Sequence, residues 1–201
     1  MISVGSVTVR LRNDVSIQDP LGVVLGFLER WAVQPAGASA PTTFAEPDLR
    51  LANRGGARIS AAEIAAILER RRAIERALRA IPPGVSLTRA RVPWQPLQQL
   101  FDAFADIRGV GYSKVTKALN PKRPALIPML DSVVQAYLAG DDPDPRSAAF
   151  GDRAVALVRG YKRDLDRNSA ALVELRRELE ARGHRLTEVR ILDVVIWSVA
   201  A

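Results

Sequence analysis

The spacing of apolar side chains along this chain predicts a protein built almost entirely of helices. A capping box formed by Ser60 and Glu63 opens the clearest example, a single helix over about residues 60–80. Its apolar side chains recur at helical spacing: Ile64, Ile67, Leu68, Ile74 and Leu78. The same criterion predicts helices at about 20–33, 44–53, 131–139, 147–166, 169–182 and 186–199, and two more within about 96–119.

The N-terminal residues follow a different pattern. From Ile2 to Leu11 apolar and polar side chains alternate weakly, which predicts one short strand or an extended arm. The chain shows no internal repeat, and its 201 residues suffice for one domain with a sizeable core. We therefore expect an all-α fold of about eight helices, organised as a single helical domain over residues 1–201.

A Gly-x-Gly turn, Gly109-Val110-Gly111, lies between the two helices predicted within 96–119. Glycine permits left-handed backbone and close approach of another chain. Backbone N–H groups at such a turn, with a helix start behind them, can bind a phosphate oxygen. Lys114 and Lys117 follow on one helical face, where they would strengthen that binding. The alternative is a structural corner between two helices, in which the glycines serve only the turn.

The formal net charge of +7 is concentrated around this turn. Residues 141–201 carry equal numbers of acidic and basic side chains, so the basic excess lies earlier in the chain. Residues 107–130 contain no acidic side chain and five basic ones: Arg108, Lys114, Lys117, Lys122 and Arg123. Such a cluster favours a polyanionic partner. An ordinary solvated basic face is the alternative.

A lone carboxylate, Asp131, follows the basic segment and opens the helix predicted over 131–139. A carboxylate beside a bound ligand can stabilise positive charge that develops there, and it can orient or deprotonate a water molecule. Aspartate is also a preferred N-cap residue, so capping this helix is the simpler role for Asp131. The two roles are compatible.

The segment 107–134 resembles the helix–hairpin–helix (HhH-GPD) superfamily of base-excision DNA glycosylases. In that family the hairpin reads Leu-Pro-Gly-Val-Gly, and a catalytic aspartate follows within Val/Leu-Asp-Thr/Gly/Ser-x-Val. This chain has Ile107-Arg108-Gly109-Val110-Gly111 and Leu130-Asp131-Ser132-Val133-Val134 at a similar separation. The resemblance implies that Asp131 is catalytic and that the partner is duplex DNA. It also implies that the DNA phosphates are bound around the hairpin by Gly109, Val110, Gly111, Ser113, Lys114, Lys117, Lys122 and Arg123.

The residue two positions after the second glycine bears on the reaction. Bifunctional members of the superfamily have a lysine there, which forms a Schiff base with the sugar, whereas this chain has Ser113. Lys114 is one residue further on, about 100° around the helix. The resemblance therefore implies a monofunctional glycosylase, which hydrolyses the N-glycosidic bond and has no lyase activity. Arg108 and Val115 replace a customary proline and a small residue, which indicates a divergent bacterial branch.

Composition excludes several kinds of chemistry. The chain has no cysteine and one histidine, His184, which rules out disulfides, thiolate or multi-histidine metal sites and cysteine nucleophiles. No signal peptide is evident at the N-terminus, and no apolar run approaches the length of a membrane span. We expect a cytoplasmic protein with no cofactor, no metal cluster and no membrane partner. The oligomeric state and the base recognised are not specified by the sequence.

Three further residues are candidates for a wedge or for the lining of a base pocket: Tyr112, Asp193 and Trp197. Tyr112 lies just inside a predicted helix, where core or rim is the alternative. Asp193 lies in an otherwise apolar helix, where an ion pair with an arginine is the alternative. Two other functions remain open for the whole chain. One is a non-catalytic DNA-binding module with the same hairpin, and the other is a protein–protein scaffold whose basic patch meets an acidic partner.

Overall fold

The computed structural model describes residues 7–30, 39–144 and 146–200 of the chain. Within these residues the protein is mostly helical, as predicted, with ten α-helices and one two-stranded sheet. No helix in this part of the chain is both long and apolar enough to cross a membrane. The helices are α1 (Pro20–Arg30), α2 (Glu46–Arg54), α3 (Ala61–Glu69), α4 (Arg71–Ala80), α5 (Trp94–Asp102), α6 (Tyr112–Leu119), α7 (Ser132–Tyr137), α8 (Phe150–Arg167), α9 (Ser169–Ala181) and α10 (Glu188–Ala200).

The sheet is a small hairpin near the N-terminus. β1 (Val9–Arg10) pairs antiparallel with β2 (Ser16–Ile17). The prediction of one strand missed β2, because two residues are too few to show an alternating pattern. The Asn168 side chain accepts from the Arg10 N–H at 2.7 Å and donates to the Arg10 carbonyl at 2.8 Å, which fixes the sheet to the helices. Residues 2–6 of the predicted strand lie outside the described residues.

The helix predicted over 60–80 is two helices. The capping box is present as predicted: the Glu63 N–H donates to Ser60 Oγ, and Glu63 accepts from the Ser60 N–H. The chain then breaks at Arg70, and a new helix begins whose first bonds are accepted by the Arg70 carbonyl. The side chains at residues 70–73 are exposed, so no packing there holds the two halves in line.

Helix α10 runs through the core of the described protein. Its buried side chains surround most of its circumference: Val189, Ile191, Leu192, Val194, Val195 and Ile196. A helix that is apolar on all sides is buried on all sides, and α10 packs against α1, α7, α8 and α9. Asp193 is thereby carried into the core, next to the N-terminal end of α7.

The segment that contains the Gly-x-Gly turn joins α5 to α6. Helix α5 packs against α4 and α8, and α6 packs against α2. Ile107, Val110 and Val115 are buried, so the turn is attached to the core by its apolar side chains. The predicted helix over 131–139 is shorter than expected. Asp131 is its N-cap, α7 ends at Tyr137, and a 3-10 turn follows.

Candidate active site

The turn between α5 and α6 combines a left-handed glycine with an open helix start. Gly109 has φ +82°. Gly111 is extended (φ −98°, ψ −178°) and is the N-cap of α6. In the described part of the chain, the backbone N–H groups of Gly111, Tyr112 and Ser113 donate no hydrogen bond. They are the free donors of a helix start, and no atom of the described residues lies within 4 Å of the position that a Cβ on Gly111 would take.

Glu63 explains why residue 109 is glycine. A Cβ at Gly109 would collide with Glu63 Oε1, and the positive φ already disfavours any side chain there. The Lys114 ammonium donates to both oxygens of Glu63, at 2.6 and 2.8 Å. Its hydrogen bond is the main reason that the pKa of Glu63 is lowered. Gly109 and Lys114 therefore share a structural contact with α3, and the charge of Lys114 is already neutralised.

Lys122 and Arg123 are buried, and the prediction that they bind DNA phosphates is wrong. The Lys122 ammonium lies 2.8 Å from Asp48, and its side chain is 1% exposed. The Arg123 guanidinium donates to the carbonyls of Leu78 and Ile81, at the C-terminal end of α4. Burial lowers the pKa of Arg123.

The basic cluster seen in the sequence is therefore not a continuous surface patch. Of its five residues, Arg108 is exposed and Lys117 is half-buried, whereas Lys114 is paired and the other two are inside. Lys117 donates to the Gly56 carbonyl at 3.2 Å. No carboxylate of the described residues lies within ion-pair distance of its ammonium.

Asp131 caps α7. Its Oδ1 accepts a hydrogen bond from the Val134 N–H at 3.0 Å, which confirms the N-cap expected for this residue. The other oxygen, Oδ2, receives no hydrogen bond from the described residues. Asp131 is half-buried and is not sealed inside the protein. One carboxylate oxygen is thus fixed by the helix, and the other is free to meet a ligand.

A pocket of about 230 Å³ opens at Asp131. An engineered apolar cavity of about 150 Å³ accommodates benzene, so this pocket has room for one flat heterocycle. The pocket lies where α1, α6, α7 and α10 meet. It is lined by Phe27, Gly55, Lys117, Met129, Asp131, Val134, Arg190, Asp193, Val194 and Trp197.

The walls of the pocket combine aromatic and charged side chains. Phe27 and Trp197 meet edge to face, with ring centroids 6.0 Å apart. The Arg190 guanidinium lies over the Phe27 ring, 5.4 Å from its centroid. The sequence pattern indicated Trp197 but gave no sign of Phe27, Met129 or Arg190, since apolar residues at helical spacing look alike whether they face a core or a cavity.

Asp193 is the most unusual group in the pocket. It is 3% exposed, its Oδ2 accepts from the Met129 N–H at 3.3 Å, and its Oδ1 has no hydrogen-bond partner. No arginine of the described residues forms an ion pair with it, so the alternative expected from the sequence is not found. Burial raises the pKa of Asp193 to about 7.

Tyr112 and Ser113 lie away from the pocket lining. The Tyr112 hydroxyl donates to the Phe150 carbonyl at 3.1 Å, and the two rings have centroids 4.4 Å apart. Burial raises the pKa of Tyr112. Tyr112 is a core residue, which is the alternative that its sequence position offers. Ser113 is half-buried in the first turn of α6.

A second, wider cavity of about 650 Å³ lies beside the hairpin sheet. Arg10, Arg12, Arg163 and Arg167 line it. Two buried or half-buried carboxylates pair with three of these arginines: Asp164 pairs with Arg12 and Arg167, and Asp141 pairs with Arg12 and Arg163. This network ties the sheet to α8. In the described residues no three acidic, histidine or cysteine side chains come together as a metal site.

Comparison with known families gives one result. The sequence profile of DUF6308, a family of unknown function, matches residues 25–200, so the chain belongs to that family. The match covers every residue that lines the pocket around Asp131 and excludes the hairpin sheet. No curated protein and no solved structure matches the chain.

Proposed function

We propose that this protein hydrolyses the N-glycosidic bond of a damaged or modified base in duplex DNA and leaves the strand intact. One observation carries the proposal: Asp131 lines the same small pocket as Lys117 and a pair of aromatic side chains. A base must leave the duplex stack before an enzyme can reach its glycosidic bond. A pocket with aromatic side chains and a carboxylate in its lining suits a base in that position.

Asp131 supplies the chemistry in this proposal. Loss of a base generates oxocarbenium character at the sugar, as in other glycoside cleavage. The free Oδ2 of Asp131 stabilises that charge and accepts a proton from the attacking water. The cap bond from Val134 to Oδ1 holds the carboxylate in one orientation, so little reorganisation is needed during the reaction.

In this proposal the DNA phosphates are bound by the start of α6 and by Lys117. The free N–H groups at Gly111, Tyr112 and Ser113, with the helix dipole behind them, form a site for a phosphate oxygen. The open space around Gly111 allows the backbone of a strand to approach. Lys117 lies one helical turn further along and lines the pocket. Such contacts position a duplex but read no sequence.

Strand cleavage is not part of the proposal. Ser113 stands where a Schiff-base lysine would be needed, and the Lys114 ammonium is held by Glu63. An amine that is held by a carboxylate in an ion pair is not positioned to attack a sugar.

The test is base release from a panel of duplexes, each with one modified base. Asp131→Asn is the informative variant, because asparagine caps a helix as well as aspartate does and the fold is retained. We expect release by Asp131→Asn to fall by roughly 100-fold or more, with an unchanged thermal midpoint. Abasic strands should stay uncut unless they are treated with alkali.

Three other results would contradict the proposal. Equal release by Asp131→Asn would remove this residue from the mechanism. Salt-dependent duplex binding without release of any base would indicate a non-catalytic DNA-binding module. Absence of both binding and release would leave the protein–protein scaffold.

A further inference from the structure

We propose that Asp193 donates a proton to the leaving base, and hence that the substrate bases are electrically neutral rather than cationic. This inference rests on the proposed function and deepens it, because it concerns the second carboxyl group of the same pocket.

The position of Asp193 indicates that a bound ligand supplies the missing hydrogen-bond partner of its carboxyl group. Its side chain is buried on α10 between aliphatic neighbours, and it lines the pocket. One oxygen accepts from the Met129 N–H, whereas Oδ1 has no described residue in hydrogen-bond geometry. The hydroxyl of the neighbouring Tyr161 donates its only proton to the Val189 carbonyl at 2.6 Å. A buried polar atom without a hydrogen bond is costly, and native proteins keep few of them. A base in the pocket with an acceptor on its ring edge would give Oδ1 that partner, provided that the carboxyl group is protonated.

The surroundings of Asp193 favour its protonated form. The charged or titratable groups around it are Arg190 on its own helix, Asp131 at the start of α7, Tyr161 on α8 and Lys117 on α6. Burial is the largest influence and raises the pKa of Asp193 to about 7, with a further small contribution from the negative charge of Asp131. The positive charge of Arg190 and the hydrogen-bond contacts with the Met129 N–H and with Tyr161 act in the opposite direction, and together they do not cancel the effect of burial. An appreciable fraction of the protein thus carries a proton on Asp193 at neutral pH.

The two carboxyl groups then divide the proton transfers of hydrolysis. The oxygen of water forms a bond to C1′ while the bond from C1′ to the base nitrogen breaks. Asp131 accepts a proton from that water. The electron pair of the broken bond goes to the base, which receives the proton of Asp193. Solvent then returns the proton from Asp131 to Asp193, so one water is consumed, and one neutral base and one abasic site are formed.

The need for a proton donor selects the class of base. A neutral base leaves as an anion unless it gains a proton, and protonation removes that charge. A purine that is alkylated at N3 or N7 already carries a positive charge, so it leaves as a neutral molecule and needs no proton. A second acid in the pocket therefore benefits only bases that are uncharged in the duplex.

The experiment compares two kinds of duplex. One set carries a single uncharged modified base (uracil, hypoxanthine or 8-oxoguanine), and the other carries N7-methylguanine. Wild-type protein should release at least one uncharged base, and its rate should fall as the pH rises above about 7. Asp193→Asn should lower release of the uncharged base by roughly 100-fold, the usual contribution of a general acid. The rate of the variant should also no longer fall as the pH rises above about 7. Any loss on N7-methylguanine should be at least tenfold smaller.

The possible results separate this inference from the proposed function. If Asp193→Asn releases uncharged bases at the wild-type rate, or slows both kinds of duplex equally, Asp193 is not the acid, yet the loss in Asp131→Asn still stands. Release of N7-methylguanine alone by the wild type would overturn the inference in the same way. If no duplex of either kind loses a base, the proposed function itself fails. The thermal midpoint of Asp193→Asn, measured alongside, excludes unfolding as the cause of a loss.

Discussion

Lys114 and Glu63 form a two-point ion pair that joins α6 to α3, with Lys114 Nζ at 2.6 and 2.8 Å from the two carboxylate oxygens. The same carboxylate accepts from the Ser60 N–H and completes the cap of α3. Glu63 also fills the space that a side chain at residue 109 would need. One acidic residue outside the turn thus explains two features that, in the sequence, indicate phosphate binding.

The two lysines of α6 should behave differently on substitution. Lys117→Ala should weaken duplex binding. It should also make the slope of log affinity against log salt concentration shallower by about one unit, the effect of one lost phosphate contact. Lys114→Ala should change DNA affinity little, but it should lower the free energy of unfolding by about 1–2 kcal/mol because it leaves Glu63 unpaired. Fluorescence anisotropy at several salt concentrations and urea unfolding measure the two effects. If Lys114→Ala weakens binding as much as Lys117→Ala does, the ion pair is open in the complex.

The two glycines of the turn offer a matched pair of variants. Gly109→Ala should destabilise the protein by roughly 1–3 kcal/mol. Alanine is strained in the left-handed backbone conformation of this residue, and its Cβ would collide with Glu63. Gly111→Ala should cost less than about 1 kcal/mol, since the backbone there is extended and no described residue lies near the Cβ that alanine would add. Urea unfolding separates the two variants, and equal losses would contradict the role assigned to Glu63. If DNA approaches here, Gly111→Ala should bind a duplex more weakly despite its stability.

The buried pair of Lys122 and Asp48 should matter for stability alone. Both side chains are almost completely buried, and Lys122 also donates to the Ser39 and Ala40 carbonyls. Lys122→Ala leaves the buried carboxylate of Asp48 without its positively charged partner. We therefore expect a loss of about 3–5 kcal/mol in the free energy of unfolding. Arg72→Ala, on the exposed side of α4, is the control and should change stability by less than about 0.5 kcal/mol. If Lys122→Ala is as stable as wild type but binds DNA poorly, Lys122 contacts DNA and its role is not structural.

Helical periodicity was a sufficient guide to most of the fold. It located α8, α9 and α10, and capping chemistry located the start of α3 and of α7, because these signals are local. The break at Arg70 and the strand β2 were missed. The first depends on whether tertiary packing holds a helix straight, and the second on pairing between residues of a very short hairpin.

The site was harder to predict from the sequence because charge alone does not reveal partners. Lys114, Lys117 and Lys122 look equivalent along the chain, yet one is paired with Glu63, one is half-exposed and one is buried against Asp48. Those acidic partners lie more than fifty residues away in the sequence. Asp131 and Asp193 share a pocket for the same non-local reason, since α7 packs against α10.

The pH dependence of stability tests the state of Asp193 without any DNA. Its pKa is raised to about 7 in the folded protein, from the ordinary value of 3.8. Between these two values the unfolded chain is ionised at this residue whereas the folded protein keeps the proton, so the contribution of Asp193 to stability falls as pH rises. Asp193→Asn removes this titration. The free energy of unfolding of the variant, relative to wild type, should therefore increase by a few kcal/mol from pH 4 to pH 8. Urea unfolding across that range measures the difference, with Asp152→Asn, an exposed carboxylate on α8, as the control. A difference that stays constant with pH would mean that Asp193 is ionised in the folded protein, and it would then have no proton to give to a base.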